Sequence, residues 1–156
     1  MRLQHPFSML IAGGRKSGKT VFTQKLLRQA NQLIDSSIDR VVWCYGTFQD
    51  SLYRDLKSIR EDIEYAEGIP VDLQNMFDSN KKNLIILDDM MHECAKDDRV
   101  TQLFTRGRHS NLSVILLSQG QYHKNQRTIN LNSDYLVIFK NARDCSQIYN
   151  LALYSY

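Results

Sequence analysis

The segment GGRKSGKT, residues 13–20, holds the residues whose types and spacing most clearly indicate chemistry. It fits the pattern G-x-x-x-x-G-K-[ST], with Gly13, Gly18, Lys19 and Thr20 at the fixed positions. Glycines let a backbone curl so that its N–H groups face an anion, and the following helix directs its positive dipole end to the same place. In this pattern the lysine reaches the β- and γ-phosphates of a nucleotide and the hydroxyl binds Mg²⁺. The predicted nucleotide-binding residues are Gly13, Gly14, Arg15, Lys16, Ser17, Gly18, Lys19, Thr20 and Val21.

Two adjacent acids follow the apolar run LIIL at residues 84–87. At the end of this predicted strand, the Asp88 carboxylate can hold the Mg²⁺ shell opposite Thr20. Asp89 follows directly and can orient or deprotonate an attacking water, although its side chain is shorter than a glutamate's. The alternative for the pair is a helix N-cap followed by a first-turn acid.

A glutamine ends the next apolar run, VILLSQ, at position 119. Gln119 at the end of a strand can contact the γ-phosphate or the attacking water. It lies thirty residues beyond Asp89, which favours an adjacent parallel strand. A polar residue at the end of a strand is equally often a simple loop start, so both interpretations stay open.

The elements that must position these residues alternate between short apolar runs and amphipathic stretches. Strands are predicted at residues 7–12, 40–45, 83–89, 112–119 and 134–140. Helices are predicted at 20–34, 51–60 and 99–108, with a last one near Asp144. The strands are nearly continuous runs of Val, Ile and Leu, which is typical of parallel strands covered on both faces. We predict a three-layer α/β domain with a mainly parallel sheet of about five strands, and ligands beyond their carboxyl ends.

Length and composition favour one globular domain, because 156 residues can bury a core of their own. No apolar run approaches 18 residues, so no membrane span is expected. The N-terminus MRLQHPFSML has no long apolar run, so no signal peptide is expected either. Cys44, Cys94 and Cys145 are odd in number and far apart, which favours reduced thiols in an intracellular protein. Trp43 and Cys44 lie in a predicted strand and are expected in the core.

Charge is unevenly distributed along the chain. Residues 1–34 carry six Lys/Arg and no acid, residues 35–98 carry seven basic and fifteen acidic residues, and residues 99–156 carry seven basic and two acidic residues. The two basic ends can converge on one face and attract phosphates. A solvated surface of mixed charge is the alternative interpretation.

Taken in order, these motifs resemble the additional-strand, RecA-like class of P-loop NTPases, and specifically the FtsK–HerA superfamily. Within it, the chain is similar to viral genome-packaging ATPases of the poxvirus type, including those of polintons and adintoviruses. The resemblance covers roughly residues 6–150 and rests on GGRKSGKT, NLIILDDMM, LFTRGRHSNLSVILLSQ and RTINLNSDYLVIFKNARDCSQI.

The resemblance implies a Mg²⁺-dependent ATPase that translocates double-stranded DNA during viral genome packaging. ATP and Mg²⁺ would be its cofactors, and the Gln119 strand would separate the phosphate-loop strand from the Asp88 strand. It also implies a homo-oligomeric ring without membrane contact, a capsid protein as a further partner, and a location in the infected cell, in cytoplasm or nucleus, or in the virion.

The resemblance further implies an arginine finger, supplied by a neighbouring subunit, between the acidic strand and the glutamine strand. Arg106 and Arg108 occupy that interval, and their spacing does not decide between them. We expect this pair beside the catalytic edge of the sheet, with Gly107 ending the helix so that a guanidinium projects outward.

Several points stay open at the level of sequence. The superfamily often has Asp-Glu where this chain has Asp88 and Asp89, so the general base is not decided. Relatives in the superfamily usually extend past the C-terminus YNLALYSY, so the single ATPase domain expected over residues 1–156 is a truncated form, a short gene product or a minimal domain. A nucleoside or nucleotide kinase, and a switch that binds nucleotide without hydrolysis, are the alternative functions.

The loop at residues 120–133 combines an aromatic residue with basic ones, which suits contact with a nucleic-acid backbone, although a solvated connector explains it as well. Its candidate contacts are Tyr122, His123, Lys124, Gln126 and Arg127. Lys140, Asn141 and Arg143 follow the last predicted strand, where they can line the nucleotide, contact a subunit or have a structural role. The three consecutive residues 92–94, HEC, cannot easily converge on a metal and are better explained as a helix start.

Overall fold

The computed structural model describes residues 2–73, 75–88, 90, 98–119 and 126–140. Within these ranges the strands are β1 (Ser8–Ala12), β2 (Arg40–Tyr45), β3 (Glu64–Glu67), β4 (Asn83–Asp88), β5 (Leu112–Ser118) and β6 (Tyr135–Ile138). The helices are α1 (Lys19–Arg28), α2 (Ala30–Leu33), α3 (Asp50–Ile59), α4 (Asp98–Arg106) and α5 (Gln126–Leu131), with a 3-10 turn at Gly107–Ser110. None of these helices has the length and apolar character needed to cross a bilayer.

The described strands form one parallel sheet in the order β3-β2-β4-β5-β1-β6. The strand that ends before Gln119, β5, lies between the phosphate-loop strand β1 and the Asp88 strand β4, as the family resemblance implies. Because all strands run the same way, the sheet has an amino edge where they begin and a carboxyl edge where they end. The prediction of a parallel α/β domain is confirmed.

Apolar side chains cover both faces of the sheet, which explains the continuous apolar runs in the strands. In β2, Val41 and Trp43 pack toward α1 and α3, whereas Val42 and Cys44 pack toward α4. Trp43 and Cys44 are 1% and 0% exposed, so their predicted place in the core is confirmed. Burial raises the pKa of the Cys44 thiol to about 12, so this cysteine stays protonated at neutral pH.

The structure departs from the predicted elements in three places. A sixth strand, β3, pairs with β2 at the side of the sheet, where its two exposed glutamates are tolerated. The helix predicted over residues 20–34 is divided into α1 and α2, and the chain becomes extended at Ile34, which forms a bridge with Leu3. A short helix, α5, lies where only a loop was predicted. The helix predicted near Asp144 lies outside the described residues.

Candidate functional site

The loop between β1 and α1 begins at the carboxyl edge of the sheet and turns directly into a helix. The Gly13 N–H donates to the Ser118 carbonyl at 3.1 Å, which fixes the start of the loop to the end of β5. Gly18 precedes α1 with φ +100° and Lys16 has φ 61°, so the chain passes twice through the left-handed region. Glycine adopts this conformation without the steric cost that other residues carry, which accounts for the fixed Gly18.

Gly13 and Gly14 are adjacent but have different steric requirements. A Cβ on Gly13 would lie 2.6 Å from Phe139 Cβ and 2.8 Å from Ser17 Oγ, so no larger residue fits. A Cβ on Gly14 would meet nothing within 4 Å. The fixed glycine of the motif is therefore the one that the packing requires.

Lys19 is the first residue of α1, and its side chain folds back into the loop. It is 8% exposed, and its Nζ donates to the carbonyls of Gly13 at 2.7 Å and Gly14 at 2.8 Å. A buried ammonium needs such partners, because removing a charge from water is costly unless it is hydrogen-bonded. The loop thus holds a positive charge at its centre.

The surroundings of the loop are also positive. The first turn of α1 has no acidic residue to compete for its N–H groups, and the helix dipole adds partial positive charge there. Arg15 and Lys16 are exposed on the loop, and Thr20 is half-buried in the first turn. Val21, the last predicted binding residue, is 52% exposed. This arrangement suits an anion such as a nucleotide phosphate.

Asp88 and Gln119 lie at the same edge of the sheet as the loop. Asp88 is the last residue of β4 and is paired in register with Leu117 of β5, while Ala12 of β1 is paired with Ser118. Both Asp88 and Gln119 are half-buried. Since neighbouring strands are about 4.8 Å apart, β4 and β1 are separated by about 10 Å. Asp89 lies outside the described residues.

The arginine pair lies at the opposite, amino edge of the sheet, so its expected place beside the catalytic edge is wrong. Arg108 is in the 3-10 turn that precedes β5, and its carbonyl accepts from the Asn111 N–H at 3.2 Å. The Asn111 carbonyl in turn accepts from the N–H of Asn83, the first residue of β4. The reason is directional: residues that precede a parallel strand and residues that follow it lie at opposite edges. β5 has seven residues and is thus about 20 Å long, which keeps the pair away from the phosphate loop of its own chain.

The two arginines differ in their contacts. Arg108 forms an ion pair with Asp134, which also accepts from the Ser8 N–H at 2.8 Å and from Ser8 Oγ at 2.9 Å. Burial opposes ionisation of Asp134, but these hydrogen bonds and the guanidinium outweigh it and lower its pKa. Arg106 ends α4, is exposed, and forms no ion pair within the described part of the chain.

Sequence reasoning overlooked Phe139, which supports the phosphate loop from the last strand. Its N–H donates to the Ala12 carbonyl at 2.8 Å, and its ring packs edge-on against Phe22 of α1 with centroids 5.9 Å apart. Together with its contact at Gly13, this places an aromatic residue directly behind the loop. The available signal was an aromatic residue near the end of the strand predicted at residues 134–140; the observed β6 ends one residue before it, at Ile138.

The other candidate residues are placed only in part. Arg127 is exposed on α5 and Lys140 is exposed after β6. α5 begins at Gln126. Outside the described residues lie Tyr122, His123, Lys124, Asn141, Arg143, Cys94, Cys145 and residues 92–94.

Residues 2–151 match the family model described as Poxvirus A32 protein. The DNA packaging protein OPG160 of Vaccinia virus (strain Copenhagen) is 28% identical over 138 residues, covering 78% of this chain and 48% of that protein. The protein of the same name from Variola virus shows the same identity and coverage, and that from Monkeypox virus is 27% identical with 44% of its length covered. The chain thus spans about half the length of the curated relatives it matches.

Among solved structures, the cytoplasmic domain of EssC is similar in fold, with a TM-score of 0.58. The match covers 92% of this chain and 33% of that one, at 13% sequence identity. At this identity the likeness concerns the fold alone, and it agrees with a P-loop NTPase domain.

Proposed function

The chain belongs to the Poxvirus A32 protein family, and we propose that it is a Mg²⁺-dependent ATPase that drives translocation of double-stranded DNA in viral genome packaging. The proposal rests mainly on the buried Lys19 ammonium in the β1–α1 loop, at the edge where Asp88 and Gln119 also lie. The DNA-packaging role is carried over from relatives of that name, and the FtsK–HerA superfamily is the group in which we place the chain.

The loop and the first turn of α1 would bind the phosphates. On binding ATP, Lys19 would exchange its two loop carbonyls for oxygens of the β- and γ-phosphates, so its charge remains hydrogen-bonded throughout. Backbone N–H groups of the loop would donate to the same phosphates. Phe139 would keep the loop in shape from behind.

Mg²⁺ would be held by the Thr20 hydroxyl and the Asp88 carboxylate. Both are hard oxygen donors, which Mg²⁺ prefers, and one or two protein ligands are usual when phosphates supply the others. Thr20 is in the first turn of α1 and Asp88 ends β4, so both belong to the carboxyl edge. When bound, the ion neutralises charge that develops on the phosphates during transfer.

Water activation is assigned to Asp89, which follows β4 directly. Gln119, after the neighbouring strand β5, would contact the γ-phosphate or the attacking water and so sense hydrolysis. The alternative acceptor, a nucleoside in a kinase reaction, would need a second binding pocket beside these residues.

The arginine finger would come from a neighbouring copy in a ring. The amino-edge position of the pair keeps Arg106 and Arg108 from the nucleotide of their own chain, so a second copy would have to bring either of them to the site. Arg106 suits this role better than Arg108, because Arg108 forms an ion pair with Asp134.

DNA would pass through such a ring, and a capsid protein would be its further partner. The ring would act in the infected cell.

Replacing the loop lysine tests the proposal. Lys19→Ala is expected to abolish multiple-turnover phosphate release from ATP, measured with and without duplex DNA. Lys25→Ala is the matched control, since Lys25 is an exposed cation of the same helix. Undiminished turnover in Lys19→Ala protein, or ATP consumption that responds to a nucleoside and not to DNA, would refute this assignment.

A further inference from the structure

An open cleft of about 290 Å³ lies at the amino edge of the sheet, beside Arg106. Its floor is apolar, since the side chains that line it there are at most 7% exposed: Leu73, Phe77, Leu103 and Leu112. Its rim is basic and carries Arg99, Arg106 and His109. An apolar floor with a cationic rim suits an apolar side chain that comes from acidic surroundings.

Phe48, at the carboxyl edge of the sheet, is an apolar side chain with acidic residues nearby. It follows β2 and is 55% exposed, although its ring is held by Tyr45 and Tyr53 at centroid distances of 5.6 and 6.0 Å. An exposed aromatic ring held in place by its neighbours is typical of the anchor residues of protein interfaces. Tyr45 is paired in register with Asp88 on one side and Glu67 on the other, so carboxylates flank the base of this loop.

The cleft and Phe48 cannot meet within one chain. Phe48 lies at the carboxyl edge and the cleft at the amino edge, about 20 Å apart along the strands. Two copies stacked head to tail would bring them together, because the edge of one copy that carries Phe48 then faces the cleft of the next. Such contacts between unlike surfaces close into rings when the rotation between copies allows it.

Charge favours the same pairing. Glu67 and Asp88 end the strands on either side of β2, beside the loop that carries Phe48, whereas Arg99 and Arg106 line the cleft. Complementary potentials across an interface steer association and set its orientation.

We propose that Phe48 of one copy docks into the amino-edge cleft of a second copy, and that this contact delivers Arg106 to the neighbouring catalytic edge. The loop that carries Phe48 follows β2, one strand spacing from β4 and its Asp88. Arg106 on the rim of the docked cleft would then lie over the carboxyl ends of these strands. The docking contact stands by itself, and its catalytic consequence rests on the proposed function.

Photo-crosslinking tests the contact directly. A benzophenone amino acid replaces Phe48, equal amounts of ¹⁵N-labelled and unlabelled protein are mixed, and the crosslinked peptides are identified by mass spectrometry. The expected crosslinks join two copies and map to residues 71–77 or 98–112. Crosslinks that stay within one copy or map elsewhere, or no self-association of the wild-type chain, would overturn the proposal.

A second experiment measures specific ATPase activity against protein concentration. Phe48→Ala should raise the protein concentration that gives half-maximal activity about tenfold or more, because the contact loses the burial of an aromatic side chain. Leu131→Ala is the matched control, because the Leu131 side chain on α5 is 76% exposed. This variant should leave the concentration of half-maximal activity unchanged. An unchanged profile for Phe48→Ala would overturn the contact. If the wild-type chain hydrolyses no ATP, the proposed function fails, while the crosslinks still decide the contact.

Discussion

The amino and carboxyl edges of the sheet are held together in different ways. At the amino edge, side chains connect neighbouring elements: Arg40 at the start of β2 forms two hydrogen bonds, of 2.6 and 2.8 Å, with Glu64 at the start of β3. Asp134 likewise connects β6 to Ser8 at the start of β1. At the carboxyl edge, the phosphate loop is held by its own backbone and by the buried Lys19.

The comparison teaches that the side-chain bonds of the amino edge hold strands together, whereas the loop at the carboxyl edge is built so that it could accept a ligand. Side-chain bonds at the amino edge join polar and charged groups of neighbouring strands. The bonds that Lys19 makes to Gly13 and Gly14 can be exchanged for bonds to phosphate without leaving a buried charge unpaired. Substitutions at the two edges should therefore have separable effects.

The largest expected effect is the loss of ATP turnover at the carboxyl edge of one copy when Arg106 is removed from the amino edge of its neighbour. Arg106→Ala should lower turnover by about 10³-fold or more, as for other fingers, while leaving nucleotide affinity intact. Arg108→Ala is the matched control and should retain turnover, losing at most about 1 kcal/mol of unfolding free energy with its exposed ion pair. Mixing the inactive Arg106→Ala and Lys19→Ala proteins should restore part of the activity. Failure of the mixture to regain activity would argue against a finger in trans.

A methyl group at Gly13 should damage the carboxyl edge specifically. Gly13→Ala places a Cβ against Phe139 and Ser17, so the loop must shift; overpacking of this kind costs about 1–3 kcal/mol. We expect weak binding of a fluorescent ATP analogue and a lower urea midpoint. Gly14→Ala, where a Cβ meets nothing within 4 Å, should be much milder. Equal effects of the two substitutions would contradict the packing described for the loop.

A change at Asp134 should affect the amino edge without affecting the nucleotide site. Asp134→Asn weakens the bonds from Ser8 and the ion pair with Arg108, and should lower the unfolding free energy by about 1.5 kcal/mol. Urea unfolding measures the loss, and titration with a nucleotide analogue should show unchanged affinity. A loss of affinity would show that the two edges are coupled.

The smallest expected effect is a dependence of stability on pH at the amino edge. Burial lowers the pKa of His5, whose Nδ1 lies 2.6 Å from Ser113 Oγ. Because the folded state holds this proton less tightly than the unfolded state, the unfolding free energy should fall as pH drops below about 6.5. His5→Gln should flatten that limb of the profile in urea unfolding at several pH values. An identical slope in the variant would exclude His5 as its source.

An element could be predicted from the sequence when a short run of consecutive residues carries its whole pattern. The phosphate loop was predictable because eight consecutive residues carry the whole pattern, and the buried strands because both of their faces require apolar side chains. β3, with the sequence EYAE, has no such run. It pairs with β2 at the side of the sheet and its residues are exposed or half-buried, so apolar side chains are not required there. The position of Arg106 at the amino edge could have been predicted from the sequence. Arg106 comes before β5, and residues that come before a parallel strand lie at the edge where that strand begins.

The support of Gly13 by Phe139 has a mechanical consequence. β6 pairs with β1 alone within the described chain, and its last contacts are the Phe139 N–H on Ala12 and the Phe139 side chain behind Gly13. A displacement of β6 would therefore reach the phosphate loop along the β6–β1 pairing, which ends at Ile138 and Ala12, and through Phe139, which leaves no free space at Gly13. If the loop binds a nucleotide as proposed, its affinity should change when the outer strand β6 is displaced.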